Sequence, residues 1–180
     1  MKLVGIFTLL LLITNINAFA QGTYKPAERV FNRASDYVKG FFDGKAPNKA
    51  TVWVIGDLRD NINDVINDAD NTPVRYRYWK LDNRKLWVLD CVACTMPITA
   101  GVVVEDGKIL DISVLSYRES RGHEVQSRAH RAQYFGATIT PKKKLDLPIN
   151  GISGSTLSVN SMKRMARIAL LLHNHVTSDD

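Results

Sequence analysis

The sequence is 180 residues long, 45% hydrophobic, and carries 24 Lys and Arg against 18 Asp and Glu, a formal charge of +6. That is enough chain for one domain with a real core. The basic residues are spread along it, and the one tight cluster, Lys142-Lys143-Lys144, has no aromatic residues interleaved with it, so a nucleic-acid-binding face is excluded.

Residues 1–20 open with Lys2, continue through the apolar run Leu3 to Ile13 and end at Ala18-Phe19-Ala20 before Gln21. A short positive start, an apolar centre and a small-x-small site make the pattern of a secretory signal peptide. The run is short for a membrane span, and no cysteine follows the cleavage site to take a lipid anchor. The expectation is a chain cleaved near Ala20-Gln21, with a charge of about +5 once Lys2 is gone, soluble outside the cytoplasm.

From Ala27 to Phe42 the apolar residues Val30, Phe31, Ala34, Val38, Phe41 and Phe42 keep helical spacing, with Pro26 suited to a first turn and Gly40 and Gly44 at the end. Thr51 to Ile55 reads as a buried strand, and Leu58, Ile62, Val65 and Ile66 as a short amphipathic helix stopped by the polar run from Asn67 to Asn71. Val74 to Leu81 and Lys85 to Asp90, separated by Asp82-Asn83, predict a hairpin. Trp79 and Trp87 are placed to meet across it or to face a ring system, cross-strand packing being the ordinary use of such residues. Ile98 to Glu105 and Lys108 to Leu115 predict a second hairpin about Asp106-Gly107. A helix is expected over Gly122 to Tyr134, ended by Gly136, then an irregular lysine-rich segment. After Thr156, the residues Met162, Met165, Ala166, Ala169, Leu172 and Val176 mark one apolar face of a long helix. Helices flanking a mostly antiparallel sheet make the fold class α+β.

Three groups of residues carry possible chemistry. Ser153, Ser155, Thr156 and Ser158 crowd the start of the last helix, where free N–H groups and the helix dipole suit a phosphate and where a hydroxyl also serves as a plain cap. Cys91-Val92-Ala93-Cys94 has the spacing of a thiol pair. It is a structural or idle pair, able to close a small disulfide, or a redox couple, since Thr95 stands where haem attachment would need His, and no further ligands complete a zinc site. His173 and His175 are two apart on a helix and point in different directions, and His123 and His130 have no acidic or thiol partner at matching spacing, so no metal site is expected.

The stretch Asn150-Gly151-Ile152-Ser153-Gly154-Ser155-Thr156, followed by a helix, resembles the flavin-attachment motif of the FMN-binding domain family, whose members include flavin-carrying components of the sodium-pumping NADH:quinone reductase and of the Rnf complex. Asn150 stands where that family usually has Asp, and Ser155 where it usually has Ala. Upstream, Val102 to Ile109 with its Asp-Gly-Lys-Ile turn, Ile112 to Leu115, Glu119-Ser120-Arg121-Gly122 and Gln133-Tyr134-Phe135-Gly136 follow the family's order of blocks. His123 occupies a position where a small apolar residue is usual. The resemblance covers about residues 98 to 176.

It implies FMN held covalently at Thr156 through a phosphodiester, with Asn150, Gly151, Ser153, Gly154 and Ser155 forming the attachment loop and Glu119, Ser120 and Gly122 a loop against the flavin. It also implies maturation by an exported FAD:protein FMN transferase, a bacterial periplasmic location, and membrane or periplasmic redox partners such as a quinone-linked complex, a cytochrome or a reductase. Residues 96–180 would be the FMN-binding core, and residues 21–95 an N-terminal helix and strands of the same domain. The function expected is an electron-transfer flavoprotein, a carrier or part of a larger redox system rather than a stand-alone enzyme. A binding or structural module of the same fold without flavin, and a thiol redox protein using Cys91 and Cys94, stand as alternatives.

Overall fold

The turn at Asp106-Gly107 joins two inner strands of the sheet. In the computed structural model, which describes residues 29–44, 46–47, 49–67 and 71–178, these two residues take positive φ of 50° and 74°, the backbone that a two-residue hairpin turn requires. They join β5 (Pro97–Glu105) to β6 (Lys108–Tyr117). Outward from β5 follow β4 (Arg84–Val92), β3 (Arg75–Leu81) and β2 (Lys49–Trp53), and β1 (Arg29–Val30) pairs with the far side of β6. The result is a six-stranded antiparallel sheet of order β1-β6-β5-β4-β3-β2. With helices packed on it and a long C-terminal helix, the α+β class holds. The signal-peptide reading of residues 1–20 lies outside the described residues.

The sheet separates two apolar layers. On one face α2 (Gly56–Ile66) and α4 (Thr156–Ser178) cover Trp87, Leu89, Ile98, Ala100, Val102 and Val104. On the other, α1 (Ala34–Phe41) lays Tyr37 and Val38 over Leu86, Val103 and Leu115. In β4 the alternation of a strand decides the split, with odd-numbered Lys85, Trp87 and Leu89 toward α4 and Leu86 toward α1. In β6 it does not. Register shifts between Thr99 and Ala100 and between Val103 and Val104 leave Leu110 and Leu115 unpaired in the ladder. Each extra residue changes the parity, so that Ile109, Ile112, Val114 and Tyr117 all reach the α4 side.

Gly101 leaves room on the opposite face. A Cβ there would stand 2.1 Å from the Tyr37 ring, and the ring's hydroxyl donates to Asp111 Oδ2 at 2.7 Å and to the Gly101 carbonyl at 3.2 Å. Ser113 donates to the same Asp111 oxygen at 2.9 Å, and Arg131 reaches Asp111 Oδ1 at 2.8 Å and the Ile112 carbonyl at 2.6 Å. One carboxylate thus ties α1, β6 and α3 (Arg128–Ala132) together.

The structure departs from the sequence-based elements in three places. The first helix begins at Ala34, not near Ala27, because Arg29 and Val30 pair with Tyr117 and Ser116 and the N–H groups of Phe31 and Asn32 bond to the Leu115 carbonyl. The open edge of β6 takes up chain that was spaced for a helix. The helix expected over Gly122 to Tyr134 is broken: a 3-10 turn at His123–Gln126 ends at Ser127, whose extended backbone (ψ 144°) starts α3 anew while its hydroxyl accepts from the His130 N–H. Trp79 and Trp87 do not meet. Trp87 lies opposite Tyr78 and stacks on it at 4.5 Å between ring centres, while Trp79 lies opposite Leu86 with Lys49 over its ring.

Candidate functional site

Three segments far apart in sequence meet at the start of α4. The turn between β4 and β5 brings Ala93 and Cys94, the segment after β6 brings Glu119, Ser120 and Arg121, and the loop into α4 brings Gly154, Ser155, Thr156, Leu157 and Ser158. They line a cleft of about 320 Å³, at the lower end of the size range of small-molecule sites.

Thr156 is the first residue of α4 and is exposed, and its hydroxyl makes no hydrogen bond among the described residues. Its neighbour does the opposite. Ser155 is buried, its N–H donates to the Ile152 carbonyl at 2.9 Å, its carbonyl accepts the Val159 N–H at 3.0 Å, and its hydroxyl donates to Glu124 Oε2 at 2.8 Å. So the residue at the capping position fastens the helix start to the 3-10 turn, and Thr156 is left lining the cleft with its hydroxyl unbonded among the described residues. Gly154 takes φ +76° in the turn just before, a conformation that favours glycine.

Glu119 is 8% exposed. Its Oε1 accepts the backbone N–H groups of Cys94, Thr95 and Met96 at 2.9, 2.7 and 2.7 Å, and Oε2 accepts the Thr95 hydroxyl at 3.3 Å. Burial works to raise this carboxyl, and the donors from Met96, Thr95 and Cys94 outweigh it, so it titrates below the ordinary carboxylate range. The charge is spent on the turn that carries Cys94. It is not presented to an anion in the cleft, whose cation is Arg121.

Gly122 supports the cleft from behind. It takes φ +89°, and a Cβ on it would stand 2.3 Å from Ser158 Oγ and 2.8 Å from the Tyr117 hydroxyl. Those two oxygens are 2.8 Å apart, and the Tyr117 hydroxyl also bonds the Arg121 carbonyl. Gly122→Ala therefore forces Ser158 to rotate away from Tyr117 in addition to straining the backbone. It is expected to lower stability by about 2 kcal/mol, measured by urea unfolding.

Of the residues singled out from sequence, Glu119, Ser120, Gly154, Ser155, Thr156 and Ser158 come together here. Asn150, Gly151 and Ser153 lie exposed on the approach, with the Asn150 N–H donating to Gln133 Oε1 at 2.8 Å. The two cysteines part company: both are free thiols, Cys91 half-buried in β4 and Cys94 exposed at the cleft. Glu124 and Tyr117 hold the site and were not singled out from sequence, since each acts through a contact 31 or 41 residues away that leaves no local pattern.

A helix start with a free hydroxyl, in a cleft lined also by Ser120 and Arg121, suits a phosphate. Residues 95–171 match the family model of the FMN-binding domain. Over that segment the chain is similar to the FMN-binding domain. A comparison with curated proteins finds no match. The matched segment begins in the turn clasped by Glu119 and runs through β5, β6 and most of α4, so the whole cleft except Ala93 and Cys94 falls inside it. The similarity points to flavin binding by this segment.

Proposed function

We propose that this FMN-binding domain is an exported electron carrier with FMN joined through its phosphate to Thr156. The observation that carries the reading is the Thr156 hydroxyl, exposed and without a hydrogen bond among the described residues at the head of α4, in a cleft whose buried carboxylate is engaged elsewhere. Attachment by a FAD:protein FMN transferase balances without any change of oxidation state. The threonine oxygen forms a bond to the FMN-side phosphorus of FAD, the pyrophosphate P–O bond breaks, AMP leaves with the electron pair, and the hydroxyl proton passes to a base of the transferase.

Once bound, FMN supplies one- and two-electron chemistry. The chain's own part is to hold the phosphate at the start of α4, with Arg121 beside it, and to wall the cleft with Leu157 and the turn at Cys94. A tether suits a compartment where a lost cofactor is not replaced, in keeping with the signal-like pattern of residues 1–20. Electrons would pass to and from a membrane or periplasmic partner, a quinone-linked complex, a cytochrome or a reductase.

The test is intact mass after co-expression with the transferase. The expected product starts near Gln21 and weighs the polypeptide plus one FMN less one water. Thr156→Val is expected to abolish the added mass and the yellow colour while changing stability by no more than about 0.5 kcal/mol, as an exposed substitution should. A wild-type chain of bare polypeptide mass, or a flavin that survives denaturation in Thr156→Val, would overturn the reading.

A further inference from the structure

The side of α4 left outside the core begins at the tether and turns basic. Thr156, Asn160, Lys163, Arg164 and Arg167 recur at steps of three and four, so they form one stripe of the helix. Alongside it runs the loop that follows α3. The two enclose a groove of about 270 Å³ lined by Lys144, Leu145, Leu147, Ile149, Lys163 and Arg167, three cations about three aliphatic side chains.

The acids nearby do not neutralise these cations. Asp64 pairs with Lys143. Asp146 is turned to Thr138, accepting its N–H at 2.7 Å and its hydroxyl at 2.9 Å. The Arg167 Nε–H donates to the Lys143 carbonyl. Lys144, Lys163, Arg164 and Arg167 have no carboxylate partner among the described residues. Like charges crowd there: burial and then the neighbouring Arg164 hold Arg167 below its ordinary value, and burial and then Lys163 do the same to His130. Half-buried cations without a counter-ion are costly unless an anion arrives.

The aliphatic residues say what kind of anion. A bare ion would use the cations and leave the apolar wall idle, whereas an anion with an apolar body uses both. The volume fits one head group. Leu147 and Leu157, 39% and 52% exposed, stand beside the groove and beside Thr156. We propose that this groove binds the phosphate of an anionic phospholipid and seats the outer stripe of α4 on a membrane surface. The proposal does not depend on flavin attachment. It places the Thr156 cleft next to the lipid.

The experiment uses the full chain and vesicles of phosphatidylcholine with and without phosphatidylglycerol. The readout is the ratio of the two partition coefficients, which cancels any contribution from the apolar run Leu3 to Ile13. At about fivefold for each cation near an anionic surface, the ratio is expected to fall about a hundredfold in the triple variant Lys144→Gln, Lys163→Gln, Arg167→Gln, with melting followed to check folding. Lys144→Gln alone, in an exposed loop, is expected to lower it about fivefold and serves if the triple variant fails to fold. A ratio near one in the wild type, or one that the variants leave unchanged, overturns the proposal. So does calorimetric binding of inorganic phosphate that the variants abolish without any preference for phosphatidylglycerol, which would make the groove a site for free phosphate.

Discussion

Replacing Asp111 with alanine is expected to lower the unfolding free energy by about 3 kcal/mol at neutral pH. The carboxylate is 8% exposed and receives the Tyr37 hydroxyl, the Ser113 hydroxyl and the Arg131 guanidinium. Its removal leaves a guanidinium and two hydroxyls facing a gap, and breaking a buried pair by deleting one partner costs about 3–5 kcal/mol. The low end applies because Arg131 keeps a bond to the Ile112 carbonyl and is partly exposed. Urea unfolding measures it. Asp111→Asn, which keeps the shape and one acceptor oxygen, should lose less. Because α1 is held to this face by Tyr37, amide exchange in Ala34–Phe41 should quicken in Asp111→Ala before the rest of the sheet opens. If the two variants are as stable as the parent, the network is not what docks α1.

The second large effect is a loss of stability in mild acid traced to His173. This residue is 3% exposed on α4, its Nε2 accepts the Gly107 N–H at 3.2 Å, and its buried Nδ1 has no partner. The bond from Gly107 fixes the neutral tautomer with the proton on Nδ1. Burial and then the charge of Lys85, against an opposing pull from Asp106, bring its pKa from 6.5 down to about 4. The folded state therefore resists a proton that the unfolded chain accepts. Stability from this group is complete above about 6.5, declines as pH falls through the interval, and is gone below about 4. That interval corresponds to about 3 kcal/mol at most. His130, whose pKa is also lowered by burial, titrates over part of the same range, so the test compares variants: His173→Gln, which still offers an oxygen to Gly107, should flatten the decline between pH 6.5 and 5. An unchanged decline would assign it to other groups. Ordinary carboxylates lose their charge only at lower pH.

Much of the fold is legible locally. Asp106-Gly107 names its own hairpin because both residues accept positive φ, and α4 is written in the spacing from Met162 to Val176, all on one buried face. The errors share a cause. Val30 has helical spacing with Ala34 and Val38, yet the unpaired edge of β6 claims it together with Arg29, and no local rule records that an edge is open. Ser127 splits the helix expected over Gly122 to Tyr134 because its hydroxyl caps α3, a choice settled by the bond from Arg131 to Asp111 and by the covering of β6 with the Gly136 N–H on the Ile109 carbonyl.

The candidate site divides in the same way. By itself the sequence determined that an α+β domain ends in a long helix headed by hydroxyls and glycine, and it carried the ordered blocks by which residues 95–171 match the FMN-binding domain. Periodicity and turn chemistry act over a few residues, so these features survive in the order of the letters alone. Only the tertiary structure decided which hydroxyl is free and where the charges go. Ser155 is consumed by Glu124 and Glu119 by the turn at Cys94, while Thr156, lining the cleft, keeps its hydroxyl unbonded among the described residues. Those assignments depend on groups 23 to 31 residues apart competing for the same few donors and acceptors, a competition that exists only once the chain has brought them into contact.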